Sequence, residues 1–536
     1  MILRMYNLAL AAITFLTTGI VEISFHFLNG SPLKIPPHNF LGLFIFLFAC
    51  SFIKNRFSRI IFQNLLLVLS FFQMMHIQFY SIPVYPNAIY LFFTQQGEII
   101  DTLLENLQLF YIPLTLLIPA FFINIYADKK LLKSLKKVPY FQFLFIFYLL
   151  FNPLRTYFTG NTWGRQPSGE EFMGTNIYLS ASYFLGKILP FKVLNNTHRE
   201  SDYPNVELTK KDAFDGDIIL VLGESLSSNH LSLFGYKRET TPFLSSLTND
   251  PHFFYYPAIS SAVSTDVAVA LFFNITYGLN ALSDISKGDN CLFTLAKKSG
   301  FKTAYYSSQS AQQLRYTTNS ICPSKIDTFK TIEDIEPSLD DWNKADDHKL
   351  IDFISNDLKN ENNQFIVLHQ RGTHSPYNLR YKKKASNFSL TGNYIEDRVN
   401  HYDNAVLEFD SFMKTLIQKI QKYQKPVIII YLSDHGEGLG EEDVWGHAAL
   451  KRPSFQIPAL IYTHNYKEKN LPLTAEPLTQ FNLALFTANL LGHKSQYSMN
   501  TFPPEYKILG NDLDGFAGFL EVIKKDKELI LKRKDL

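Results

Sequence analysis

Cysteine is scarce in this chain and net charge is nearly absent, and each shortage removes a class of protein. Three cysteines in 536 residues cannot form a disulfide scaffold. Cys50 lies in an apolar run, whereas Cys291 and Cys322 can pair with each other, a question that separation along the chain does not decide. A formal net charge of +2 gives no reason to expect a nucleic-acid partner. No small-residue cleavage site follows the first apolar run, and further runs come after it, so that run does not read as a cleaved signal peptide.

Phenylalanine is what the chain has in excess, 48 residues weighted to the first third. Apolar runs occur at about 5–28, 39–55, 58–80, 107–126 and 138–154. A helix needs roughly 20 apolar residues to cross the hydrocarbon core. The first, third and fourth runs reach that length; the second and fifth are short. Basic residues set the orientation. Arg4 precedes the first run, Lys54, Arg56 and Arg59 separate the second from the third, and Lys129, Lys130, Lys133, Lys136 and Lys137 separate the fourth from the fifth. Five spans with the N-terminus inside place every such cluster in the cytoplasm and the large polar remainder outside. Within the loop "FTQQGEIIDTLLENL" (93–107), Ile99, Ile100, Leu103, Leu104 and Leu107 share one helical face, as in a surface-lying helix or an ordinary packed loop helix. Glu22, His26 and His76 fall near the outer ends of their spans, where polar groups mark either a lipid headgroup site or interhelical hydrogen bonds.

The boundaries expected are a membrane domain over 1–154, a bridge over 155–215 with an amphipathic stretch "NIYLSASYFLGKILPF", and an outer domain over 216–536. From 216 onward, short β-rich runs ("DIILVLGES", "FKTAYYSS", "NQFIVLHQ", "PVIIIYLSD", "IPALIYT") alternate with helical stretches such as "YDNAVLEFDSFMKTLIQKIQKY". That alternation predicts an α/β domain with a mostly parallel sheet. Ligands in such domains bind beyond the carboxyl ends of the strands. The basic tail "KKDKELILKRKDL" reads as a solvated helix end.

Chemistry-bearing residues gather at those strand ends. Glu224 ends the first β run, and Asp434 and His435 end the fourth. Two carboxylates and one imidazole make a three-ligand set for Zn²⁺ with a fourth position open. Ser264 stands as an N-cap and Thr265 falls in the first turn of the helix it opens. Free N–H groups there favour an alkoxide or a phosphate, and a threonine hydroxyl reacts only when a metal or base takes its proton; capping alone is the other reading. His369 and His374 in "LHQRGTHSPY", and His447 after the acidic loop, supply imidazoles for a second metal or a phosphate group.

Together, "GESLSSNHLSLFGYKRETTPFL", the Thr265 segment, "HQRGTHSPY", "YDNAV" and "LSDHGEGLGE" resemble the phosphoethanolamine transferases of Gram-negative inner membranes, in the alkaline phosphatase/sulfatase superfamily. The resemblance covers nearly the whole chain, since that family joins five spans to a periplasmic α/β catalytic domain. It implies that Thr265 is the nucleophile and itself a metal ligand beside Glu224, Asp434 and His435. His374, His447 and His369 match positions near the phosphate and a second zinc. It implies a Zn²⁺ cofactor, one ion held tightly, with or without a second. The implied reaction takes phosphoethanolamine from phosphatidylethanolamine onto Thr265, releases diacylglycerol, and passes the group to lipid A or another lipopolysaccharide or glycan acceptor. The chain departs from the family where "SLSSNH" replaces an Arg-containing stretch, and where Asp266 and Ala270 replace an Ala and a Pro after the nucleophile. The rivals are a lipoteichoic-acid-synthase-like phosphoglycerol transferase and a non-catalytic lipid-binding membrane protein. A sulfatase needs a Cys-x-Pro-x-Arg stretch, which "CPSK" (322–325) does not supply.

Overall fold

The computed structural model describes residues 2–29, 35, 37–80, 83–94, 99–100, 103–104, 106–131, 135–159, 172–190, 206–339, 341–359, 361–382, 387–466, 473–515, 517–525 and 528–534. The chain divides into two compact units, Met1–Asn196 and Thr197–Leu536. The loop "GNTWGRQPSGEE" of the expected bridge, and residues 95–98, 101, 102 and 105 of the 93–107 stretch, lie outside the described residues.

The first unit is helical: α1 (Ile2–Leu28), α2 (Pro37–Cys50), α3 (Arg56–Tyr80), α4 (Tyr111–Leu131), α5 (Gln142–Thr159) and α6 (Met173–Tyr183). Its polarity is inverted relative to a water-soluble bundle. On α1, Asn7, Thr14, Thr18 and Glu22 are buried, while Leu16, Ile20 and Phe27 are exposed. That arrangement suits a lipid surround, where backbone and polar groups must be satisfied internally. Among the described residues, three helices are long and apolar enough to span a membrane: Met5–Leu28, Arg56–Phe79 and Leu107–Leu131. The two remaining expected spans are also helical. However, α2 has 14 residues, about 21 Å at 1.5 Å per residue against a hydrocarbon core of about 30 Å. In α5, Pro153 stands inside the helix.

Buried ion pairs and amides lock this unit at specific points. Arg59 is fully buried and pairs with Asp128 at 2.6 Å, joining α3 to α4. The Asn7 amide donates to Ser51 and to the Lys136 carbonyl (3.0 and 3.1 Å). Glu22 accepts from the Met173 amide at 3.1 Å, at the first residue of α6, so for this residue the interhelical reading holds. The stretch expected in the bridge is thus a packed helix of the first unit. A β-carbon at Gly174 would lie 2.1 Å from the Leu66 carbonyl oxygen, so only glycine lets α6 approach α3 this closely.

The second unit is built on an eight-stranded sheet: β1 (Asp217–Gly223), β2 (Phe253–Ile259), β3 (Lys302–Ser307), β4 (Thr328–Lys330), β5 (Gln364–His369), β6 (Val427–Ser433), β7 (Gln456–His464) and β8 (Leu478–Thr479). Their spatial order is β8-β2-β7-β6-β1-β5-β3-β4. β7 runs antiparallel to both β2 and β6, and every other pairing is parallel. The expected mostly parallel α/β domain is therefore present. Strands β1, β5 and β6 are buried along their whole length, which requires the continuous apolar runs seen in the sequence. Helices α7 (Thr265–Phe273), α8 (Leu292–Lys298), α9 (Arg315–Ser320), α10 (Tyr394–Ile420) and α11 (Gln480–Leu490) accompany the sheet. α10 starts at Asn393, whose side chain accepts from the Ile395 and Glu396 amides (3.0 and 3.1 Å).

The basic tail corrects the sequence expectation. It forms a strand, Glu528–Lys534, paired antiparallel with Phe519–Lys525 rather than a helix end. Its alternating exposure follows the two-residue period of "ELILKRK", which a count of charges alone overlooks.

Candidate active site

Parallel neighbours bring the ends of β1 and β6 together, because Gly223 pairs with Ser433. Glu224 follows the first and Asp434-His435 the second, and all three are buried. The turn after β1 is tight. Ser225 takes a left-handed backbone (φ 59°), and its carbonyl is held by the Tyr402 hydroxyl (2.8 Å) and by Thr373 Oγ1 (2.9 Å). That clamp aims the Glu224 carboxylate, to which Ser225 Oγ and the Gln309 amide also donate (3.1 and 2.9 Å).

The third contributor comes from α7. Ser264 occupies the N-cap position with extended backbone, as expected, but its hydroxyl makes no capping bond. Thr265 opens the helix and points its hydroxyl inward, 3.2 Å from Glu224 Oε1 and 3.3 Å from His435 Nε2. Gln480, at the start of α11, ties the two segments together. Its Nε2 donates to the carbonyls of Ser433 (3.1 Å) and Asp434 (2.6 Å), while its Oε1 accepts from the Ser261 amide (2.8 Å).

The geometry indicates what the pocket holds. His435 Nδ1 lies 2.9 Å from the Gly436 carbonyl, which turns Nε2 toward the carboxylates. Nε2 stands 3.2 Å from Asp434 Oδ2 and 3.5 Å from Glu224 Oε1. Asp434 Oδ2 is buried with no hydrogen-bond partner among the described residues, whereas Oδ1 accepts from the Ser225 and His435 amides (3.0 and 2.7 Å). A buried orphan carboxylate oxygen is costly. A divalent cation removes that penalty. Glu224, Asp434 and His435 thus fit a Zn²⁺ site by donor type, with ligand atoms within 4.8 Å of one another.

The remaining histidines divide into two groups. His369, at the end of β5, is fully buried behind Glu224, with Nδ1 2.7 Å from the Tyr305 hydroxyl and Nε2 4.0 Å from Glu224 Oε2. Burial pulls its pKa down to about 4, against the opposing pull of Glu224, so it is a neutral support for that carboxylate. His374 and His447 stand on the other side. The His447 ring is 4.3 Å from that of His435 and 5.6 Å from that of His374. His447 Nδ1 donates to Glu437 Oε2 at 3.0 Å, and the Tyr377 hydroxyl donates to Glu437 Oε1. Burial works to raise the pKa of Glu437, but the bonds from His447 and Tyr377 outweigh it and hold the carboxylate below its ordinary range. His435, Glu437 and His447 form a second donor set with the same 4.8 Å closeness.

Glu437 was visible in the string that carries Asp434 and His435, at the two-residue spacing that returns a loop side chain to its own strand end. Tyr402 opens the "YDNAV" stretch, whereas Gln309 and Gln480 carry no local signal. Each reaches the site across a long sequence separation, for example 85 residues between Gln309 and Glu224.

A family model described as Sulfatase matches residues 217–493, just over half of the chain. Phosphoethanolamine transferase EptA of Helicobacter pylori is 27% identical over 324 residues, covering 56% of this chain and 59% of its own. Phosphatidylethanolamine transferase Mcr-1 of Escherichia coli is 28% identical over 274 residues, covering 46% of this chain and 48% of its own. The chain thus spans about half the length of the curated relatives it matches. The integral membrane protein lipooligosaccharide phosphoethanolamine transferase A of Neisseria meningitidis shares the fold, with a TM-score of 0.56 and 16% identity over 91% of this chain and 95% of that one. The resemblance to phosphoethanolamine transferases read from the motifs is borne out by these relatives.

Proposed function

Since the chain belongs to the sulfatase family, we propose that it is a zinc-dependent phosphoethanolamine transferase that works through a phospho-threonine on Thr265. The observation that carries this reading is the position of Thr265 Oγ1, 3.2 Å from Glu224 Oε1 and 3.3 Å from His435 Nε2, at the mouth of a donor set with an orphan carboxylate oxygen. The names of the similar proteins support the transferred group, and the name of the Salmonella typhimurium relative, Kdo(2)-lipid A phosphoethanolamine 7''-transferase, supports a lipid A acceptor. The donor is phosphatidylethanolamine and the acceptor lipid A or another part of lipopolysaccharide. The protein sits in the inner membrane of a Gram-negative cell with its catalytic unit in the periplasm.

Glu224, Asp434 and His435 hold the tight zinc. When bound it lowers the pKa of the Thr265 hydroxyl and offsets charge on the phosphoryl group in transfer. The chain supplies the rest. The Thr265 hydroxyl donates toward Glu224 Oε1, so the proton has an acceptor in place as Oγ1 attacks phosphorus. The phosphorus–oxygen bond to diacylglycerol breaks, and diacylglycerol leaves with a proton. His374 and His447 contact the phosphate and deliver that proton; Glu437, bonded to His447 Nδ1, fixes that ring's orientation. His369 acts from behind Glu224 as a positioning residue. A covalent intermediate lets donor and acceptor visit one site in turn.

Intact-mass spectrometry of the full chain in detergent tests this, with wild type and Thr265→Ala incubated with phosphatidylethanolamine and bound zinc measured on both. A phosphoethanolamine adduct on wild type alone, mapped to Thr265, is expected, with donor turnover reduced at least about 10³-fold in the variant. A phosphoglycerol adduct formed from phosphatidylglycerol would replace the headgroup assignment. Neither adduct nor zinc would leave a lipid-binding membrane protein.

A further inference from the structure

Directly after the nucleophile stands Asp266, one of the residues that sets this chain apart from the resemblance. Its carboxylate accepts from Thr317 Oγ1 at 2.8 Å, from α9. The far end of α7 is held by the same short helix, since the Asn274 side-chain amide donates to the Ser320 carbonyl at 2.7 Å. Residues 315–320 therefore form a strap bonded to the nucleophile helix at both its ends. Two residues beyond, Cys322 turns the chain through a left-handed backbone (φ 56°) into the short turn Pro323–Lys325.

Cys322 meets Cys291 there. Cys291 is the N-cap of α8 and is fully buried; Cys322 is half-buried and packs against the same apolar cluster. Both face one carbonyl, that of Gly288, with the Cys291 amide nitrogen at 3.3 Å and Cys322 Sγ at 3.9 Å. A β-carbon at Gly288, itself left-handed at φ +65°, would lie 2.6 Å from Cys322 Sγ, so the glycine makes room for the sulfur. The two thiols are near enough to shift each other's ionisation.

We infer that Cys291 and Cys322 are a redox pair whose oxidation to a disulfide staples the 315–322 strap and so holds Asp266 and the nucleophile helix in place. The chemistry is thiol–disulfide exchange. The Cys322 thiolate attacks one sulfur of a small disulfide oxidant and expels a thiolate. Cys291 then gives up its proton and attacks Cys322 Sγ, expelling the second thiol. The oxidant leaves as two thiols, having taken up the two protons and two electrons that the protein loses. Cys322 suits the first role: the neighbouring Cys291 thiol lowers its pKa to about 7, with Thr294 and Lys325 adding to that against partial burial. Cys291, pushed up by burial, suits the second.

The full chain in detergent is treated with oxidised glutathione or with dithiothreitol, then denatured, alkylated and digested without reduction. The expected product is a peptide linking Cys291 to Cys322, lighter by two hydrogens than its two parts. Alkylation of both cysteines after oxidised glutathione, or glutathione retained on Cys322, overturns the pair. Hydrogen exchange then tests the strap. Oxidation is expected to slow exchange over 265–274 and 315–322 by about tenfold in wild type and not in Cys322→Ser. A link with unchanged exchange overturns the positioning role. Neither readout uses transfer activity, so failure here leaves the transferase reading standing.

Discussion

A β-carbon on Gly372 would lie 2.6 Å from the Glu224 carbonyl oxygen and 2.9 Å from its amide nitrogen, and the residue sits at φ +57°. Both facts arise from one requirement: the chain leaving β5 must pass directly over the turn that aims the Glu224 carboxylate. The neighbouring Thr373 bonds the same turn through Oγ1 and through its amide, which donates to the Glu224 carbonyl at 3.0 Å. Gly372→Ala therefore forces either an unfavourable backbone or a displaced Glu224. The expected cost is about 2–3 kcal/mol, read as a lower thermal midpoint of the full chain in detergent together with reduced zinc content. An unchanged midpoint and zinc stoichiometry would mean that the turn adapts freely and that the clamp has no role.

At the scale of elements, His230 joins three segments. Its Nδ1 lies 2.7 Å from Asp403 on α10, and its Nε2 lies 2.8 Å from Glu441 in the loop between Glu437 and His447. Arg238 and Tyr236 bond the other oxygen of Asp403 (2.8 and 3.0 Å). Burial acts to lower the His230 pKa, but the hydrogen bonds to Asp403 and Glu441 outweigh it and carry it up to about 9. A folded-state pKa above the unfolded value of about 6.5 contributes stability that is complete below that pH and is lost as pH rises through about 9. The contribution is on the order of 3 kcal/mol. The thermal midpoint of wild type should fall between pH 7 and pH 10 more steeply than that of His230→Asn, which starts lower. Parallel pH profiles would show that the imidazole is not charged in the fold.

For the whole molecule, the charge rule and the inverted polarity of the first unit make one joint statement about topology. Lys129 is exposed just inside the end of α4, and Lys237 is exposed on the second unit. In intact cells with a permeabilised outer membrane, Lys237→Cys should react with a membrane-impermeant maleimide, and Lys129→Cys should react only after the inner membrane is opened. Wild type serves as the control for the native thiols. Reaction of Lys129→Cys in unopened cells would invert the orientation and remove the catalytic unit from the periplasm.

The sequence by itself determined where the ligands could be. A seven-residue run buried on both faces, such as Val427–Ser433, must stay apolar and end abruptly, so the polar residues that follow are marked as strand-end groups. The same logic made the three long spans and α10 legible, since length and period are local properties. What it could not determine was every feature set by sheet order. Phe253–Ile259 alternates in burial, and the sequence reading passed over it as a strand. "IPALIYT" looks like its parallel neighbours but runs the other way, because direction is a property of connections and not of composition. Tertiary structure alone brought Gln309 and Gln480 to the site. It did so because a hydrogen bond between residues far apart in sequence exists only once strands β1, β5 and β6 lie side by side.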